Sequence, residues 1–199
     1  MRERILHAAE QVVQAKGVGR ATTKEIARAA GVSEGSIYNY FESKEALFLS
    51  VFREQLPDVI GMTKALPGRA GQGRVDQTLS EVARGIYAFY SRFVIMASSA
   101  FANPEMLGFL RKNVFERGLG PHRANGALAA YLRAEQALGR IRPDADAEAM
   151  SDFLFGACFQ QAFYRQFLGE TVASEEPEAV VTRLVAALIE SLGLSDLAD

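Results

Sequence analysis

The chain has 199 residues but only one cysteine, two histidines and six prolines, and it has no tryptophan. The lone Cys158 excludes a disulfide framework within the chain and suits a reducing cytosol. His7 and His122 stand far apart with no second thiol near either, so no metal-ligand spacing exists and no metal or other cofactor is expected. No glycine loop leads into the Lys-Ser/Thr pair that cradles nucleotide phosphates; Gly68, Gly71 and Gly73 occur without that sequel. No nucleophile and base share a motif, which argues against an enzyme. Long apolar runs are missing as well. Phe93 to Pro104, bounded by Arg92 and Glu105, falls far short of the ~20 residues a membrane span needs. The opening MRERILHAAEQVV has no apolar core of signal-peptide length. The expectation is a soluble, cytoplasmic chain with no membrane partner. No charge of either sign dominates: the formal net charge is −2, and residues 1–56 carry eight Lys or Arg against seven Asp or Glu. Attraction to a polyanion must therefore come from where charges sit, namely Arg20, Lys24, Arg28 and Lys44.

What is present is helical. The chain is 49% hydrophobic and 23% charged, enough to bury a core. Apolar residues recur at helical spacing and no alternating strand pattern appears, so an all-α fold is predicted. A first helix is expected over 2–15, with Ile5, Ala9, Val12 and Val13 inward and Gly17 ending it. A fourth helix, capped by Ser43 and carrying Leu47, Phe48, Val51 and Phe52, should stop before Pro57. The run 66–73 is too rich in Gly and Pro to stay helical and reads as a linker. Further helices are expected over about 75–99, from 104 to about 116–118, and over 122–138, 147–168 and 177–192. Ser174, Glu175, Glu176 and Pro177 form a favourable start for the last.

The most informative stretch lies between the first and fourth helices: TTKEIARAAGVSEGSIYNYFESKEAL, from Thr22 to Leu47. Thr22 followed by Glu25 is a capping box. Ile26, Ala27 and Ala30 form an apolar stripe, Gly31 stops that helix, and Ser33 caps a short third helix expected over 34–40. Two helices joined by a three-residue turn with Gly make a helix-turn-helix, whose second helix enters the DNA major groove. Gly35 lets the backbone approach the duplex. Ser36 and Asn39 can address base edges, and Asn39 suits adenine. Thr22, Thr23 and Lys24 would reach the DNA backbone. Thr22 and Ser33 are caps whatever else they do. Glu34 has two readings: acceptor from cytosine N4, or partner of the helix dipole.

This stretch resembles the TetR family of bacterial transcription regulators. The resemblance rests on Ile5, Leu6, Ala9, Gly17, Thr22, Ile26-Ala27, Ala30-Gly31-Val32-Ser33, Gly35, Ile37-Tyr38, Phe41, Lys44 and Leu47, and covers about the first quarter of the chain. Tyr40 stands where many members have His, and Val13 and Val18 where aromatics are frequent. The resemblance implies that Tyr38, Tyr40 and Lys44 bind phosphates. It implies an N-terminal three-helix DNA-binding unit over 1–48. A bridging helix then leads to a larger ligand-binding and dimerisation domain over 49–199. The expected partners are a double-stranded DNA operator, a second copy of the chain and a small apolar effector. Phe89, Tyr90, Phe93, Met96, Phe109 and Phe159 are the residues nominated for the effector, with an ordinary apolar core as the alternative for each. The helices at 147–168 and 177–192 carry more apolar surface than one domain needs and are the expected dimer interface. The function expected is a ligand-responsive DNA-binding repressor; the alternative is a DNA-binding or partner-binding dimer that senses nothing.

Overall fold

The computed structural model describes residues 1–54, 57–116, 120–169 and 175–194; the side chains of 57, 58, 96, 98–100, 113–116 and 121 lie outside the described residues. The described residues form ten α-helices: α1 (Arg2–Lys16), α2 (Thr23–Ala30), α3 (Glu34–Tyr38), α4 (Lys44–Glu54), α5 (Pro57–Ala65), α6 (Val75–Phe101), α7 (Pro104–Glu116), α8 (Pro121–Ala137), α9 (Ala147–Leu168) and α10 (Pro177–Leu192). No helix among the described residues is long and apolar enough to cross a membrane.

Packing divides the chain into two compact units, Met1–Pro57 with Arg92–Leu119, and Asp58–Ser91 with Gly120–Asp199. In the first, Ile5, Ala9 and Val13 of α1 meet Ile26, Ala27 and Ala30 of α2, Ile37 of α3, Phe41, and Leu47, Phe48 and Val51 of α4 in one core. Met106 of α7 is buried in the same core and Leu110 packs against it. Phe93, near the end of α6, lies tilted against Phe52 of α4 with ring centroids 5.6 Å apart. By packing, α7 and the end of α6 therefore belong with the helix-turn-helix.

The structure departs from the sequence pattern in three places. A further helix, α5, begins at Pro57, where the sequence predicts only a stop. Proline at a first helical position loses only an N–H that has no helical partner. The linker shrinks to a 3₁₀ turn at Leu66–Arg69, after which Gly71 and Gly73 take positive φ of 76° and 59°. The third helix ends at Tyr38 rather than at 40, so Asn39 and Tyr40 stand on the following turn, with the N–H groups of Tyr40 and Phe41 both donating to the Ile37 carbonyl. The helix α10 keeps its expected range and buries Val181, Val185, Leu188 and Leu192, while Leu184 stays half-buried. Its N-cap is Glu176; Ser174 lies outside the described residues.

The second unit buries Leu79, Val82, Ala83 and Ile86 of α6, Leu128, Tyr131 and Leu132 of α8, and Leu154, Phe155 and Cys158 of α9. Burial pushes the Cys158 thiol up to about 12, so it stays a thiol and packs as a small apolar group. Among the described residues of this unit one buried residue is charged: Glu135 of α8 has 0% exposure. Its Oε1 accepts from the Gly71 N–H at 3.2 Å, and its Oε2 lies 3.1 Å from Nη1 of Arg140. Arg140 also donates to the Gly73 carbonyl. One carboxylate thus ties α8 to the glycine turn ahead of α6. Burial is the main cause that pushes the neighbouring Tyr131 phenol up to about 12; the Thr78 hydroxyl opposes the shift and Glu135 adds to it.

Removing one member of a buried pair leaves the other charge uncompensated. Arg140→Ala is expected to lower stability by about 2 kcal/mol or more in urea unfolding; this is below the ~3–5 kcal/mol of a fully buried pair, because Arg140 reaches solvent. The raised Tyr131 pKa favours the folded state while the phenol keeps its proton. Its contribution is complete below the unfolded value of about 10 and is lost as pH rises through about 12. Tyr131→Phe should flatten the fall in stability measured across that alkaline range.

Candidate nucleic-acid interface

The helix-turn-helix is built by local bonds that the sequence announces. The capping box at α2 is complete: the Thr22 hydroxyl accepts from the Glu25 N–H at 3.2 Å, and the Glu25 carboxylate accepts from the Thr22 N–H at 3.3 Å. Lys16 donates to Glu25 at 2.5 Å, and this bond is the main cause that holds the Glu25 carboxyl below the usual carboxylate range. Gly31 ends α2 in the left-handed conformation at φ 64°, with the Val32 N–H donating to the Ala27 carbonyl at 2.9 Å. Ser33 opens α3 by accepting from the Ser36 N–H at 3.3 Å, and the two serine hydroxyls are 2.7 Å apart. Ser43 caps α4 through the Ala46 N–H at 3.0 Å.

These bonds sort the nominated residues into an inner and an outer set. Ile37 points into the core while Glu34, Gly35, Tyr38, Asn39 and Tyr40 are exposed, as are Thr22, Lys24 and Ser33. Ser36 and Lys44 are half-buried. Nζ of Lys44 sits 5.4 Å above the Phe48 ring, a cation–π contact that fixes the side chain at the start of α4. Thr23 differs from its neighbours. It is buried, and its hydroxyl donates to Oε1 of Glu34 at 2.5 Å. Sequence periodicity carried no sign of this bond, since it joins the first residues of two different helices.

The residues nominated for the effector fall in both units. Phe89, Tyr90 and Phe159 belong to the second unit and Phe93 and Phe109 to the first, while the Met96 side chain lies outside the described residues. In the second unit the Tyr90 and Phe159 rings meet edge-on at 5.3 Å, and Phe89 lies 5.5 Å from Tyr90. Burial pushes the Tyr90 phenol up. Two of the cavities among the described residues lie elsewhere. One of about 290 Å³ runs between α1 and α2 past the Lys16–Glu25 pair. The other, about 30 Å³, is bounded by Tyr87, Gln161, Arg165, Glu175 and Val180 and has room for about one water.

Residues 5–51 match the model of the bacterial regulatory proteins of the tetR family, and residues 77–190 match that of the AefR-like transcriptional repressor C-terminal domain. The chain belongs to the TetR family. Its members are transcription regulators with an N-terminal helix-turn-helix and a larger helical C-terminal domain, the architecture found here. An HTH-type transcriptional repressor of Mycobacterium tuberculosis is 26% identical over 190 residues, covering 94% of this chain and 88% of that one. The fatty acid metabolism regulator protein of Bacillus subtilis is 38% identical over 56 residues, and the match spans only 28% of this chain and 29% of that protein. Among solved TetR-fold structures, the transcriptional regulator FadR from Bacillus subtilis in complex with stearoyl-CoA superposes with a TM-score of 0.71 at 18% identity, covering 96% of this chain and 99% of that one.

The Gly31 turn yields a direct test. A Cβ there would meet no atom within 4 Å, so only the left-handed backbone opposes a side chain. Gly31→Ala should cost about 1 kcal/mol, read as a lowered urea midpoint with an unchanged m-value.

Proposed function

We propose that the chain is a cytoplasmic homodimeric repressor that holds a two-fold operator with its two copies of α3. A small apolar molecule bound in the second unit releases it. The observation that carries this reading is the division of α3: Ile37 anchors it inward, while the polar set from Glu34 to Tyr40 faces outward with caps at both helix starts. Tyr38, Tyr40 and Lys44 bind backbone phosphates, together with Thr22 and Lys24; Ser36 and Asn39 address base edges. Gly35, with no side chain, lets the backbone lie near the duplex.

The dimer forms through α9. That helix buries Ala147, Ser151, Leu154, Phe155, Cys158 and Ala162 and leaves Phe153, Phe163 and Phe167 exposed, the last at 74%. Phe163 and Phe167 stack at 5.5 Å with planes 12° apart, a ready-made apolar face. Two-fold pairing of this face places two recognition helices for two half-sites, about 34–36 Å or a multiple apart. The effector binds against Tyr90 and Phe159. It acts only through its differential affinity for the operator-binding and released conformations.

Three measurements test this. Phe167→Asp should turn the dimer into a monomer in sedimentation at micromolar concentration while keeping its helical signal. Leu188 lies inside its own unit, so a charge there would report folding instead. Lys44→Ala should weaken binding to selected and random duplexes alike and lower the salt slope by about one per subunit; an unchanged slope refutes the phosphate assignment. Stearoyl-CoA, the molecule held by the Bacillus subtilis relative, and a planar aromatic serve as effector probes. An effective probe should release DNA from the wild type, and Phe159→Ala should raise the concentration required about tenfold. Release of equal sensitivity in both proteins moves the effector site elsewhere, and no release by either probe favours a dimer that senses nothing.

A further inference from the structure

The bond from Thr23 to Glu34 links the first residue of α2 to the first residue of α3, eleven positions on. A hydroxyl has one proton to donate, and the Thr23 proton goes to Oε1 of Glu34. A carboxylate offers about four acceptor positions, so Oε2 keeps its full capacity. Among the described residues no Lys or Arg pairs with Glu34. The exposed tip of the recognition helix therefore carries an unneutralised carboxylate whose rotamer is already chosen.

Phosphates repel such a group; of the groups a duplex presents in the major groove, only base-edge donors attract it. The major groove offers two amino donors, cytosine N4 and adenine N6. Beside adenine N6 lies the N7 lone pair, which would face carboxylate oxygen with no proton between them; beside cytosine N4 there is only C–H. Partnership with the α3 dipole alone needs no Thr23. A held side chain, by contrast, has already given up the rotamer freedom it would lose on meeting a base.

We propose that Glu34 reads a cytosine in each half-site and that Thr23 is the positioning residue that aims it. This rests on the reading of α3 as the DNA-contacting helix. Selection from a pool of random duplexes, with the full-length protein and its variants, tests it. The wild type should enrich a two-fold motif with one cytosine per half-site that Glu34→Gln converts to adenine, because an amide offers the donor–acceptor pair that adenine matches. Thr23→Val should keep the rest of the motif and lower the preference for cytosine several-fold, and Thr23→Ser should restore it. The proposal is overturned if Glu34→Gln leaves the motif unchanged. It is also overturned if Thr23→Val lowers binding to all sequences equally with the cytosine preference intact, the mark of a purely structural bond. If Thr23→Val does not fold, as thermal melting will show, Glu34→Gln decides. A wild type that enriches no motif refutes the DNA-reading function itself, an outcome distinct from a motif without the cytosine.

Discussion

A recognition helix of five residues cannot sustain itself, and the first unit is organised around that constraint. Isolated helices need roughly 12–15 residues to be even marginal in water. The helix α3 persists because its start and its inner face are held from outside. Ser33 accepts from the Ser36 N–H, Gly31 sets the turn that delivers the chain to it, Ile37 is 1% exposed in the core, and Thr23 holds Glu34. Tyr38, Asn39 and Tyr40 are then left exposed on the outward side. The core beneath is completed by Met106 of α7, which comes from far along the chain.

The second unit solves a different problem. Its helices are long enough to persist by packing, but the chain must turn sharply between the 3₁₀ segment and α6. Gly71 and Gly73 allow the turn, and Glu135 holds it in place through the Gly71 N–H and Arg140. A buried carboxylate is an unfavourable way to gain stability, since apolar residues of equal volume often do as well. Its use here gives one defined arrangement of the turn against α8. The apolar surplus of this unit is concentrated on α9, where Phe153, Phe163 and Phe167 stay uncovered.

Many of these elements are legible in the sequence because local chemistry decides them. Thr22 with Glu25, Gly31 and Ser33 each announce a helix boundary, and each boundary stands where the residues place it. The long helices α9 and α10 run over 147–168 and 177–192 as their periodicity predicts. The misses also have physical causes. Pro57 reads equally as a helix stop and as a helix start, because proline ends one helix and fits the first position of the next. Sequence pattern makes the third helix two residues too long because Asn39 and Tyr40 tolerate either conformation. Glu135 did leave a signal: it continues the inward spacing of Leu128, Tyr131 and Leu132, an acidic residue where an apolar one belongs.

The sequence by itself determined the helical class, the helix-turn-helix and the family, because caps, turn glycines and 3.6-residue periodicity act over a few neighbouring positions. Tertiary structure alone decided which apolar surfaces are left over and which polar groups meet. Val181, Val185, Leu188 and Leu192 of α10 and Phe153, Phe163 and Phe167 of α9 look alike as strings, yet the first set is buried and the second uncovered, since burial depends on what packs opposite. Thr23 and Glu34 look like two separate surface residues until two helix starts are brought within 2.5 Å of each other's side chains. No local rule encodes that distance; it comes from the angle at which α2 and α3 cross over their shared core.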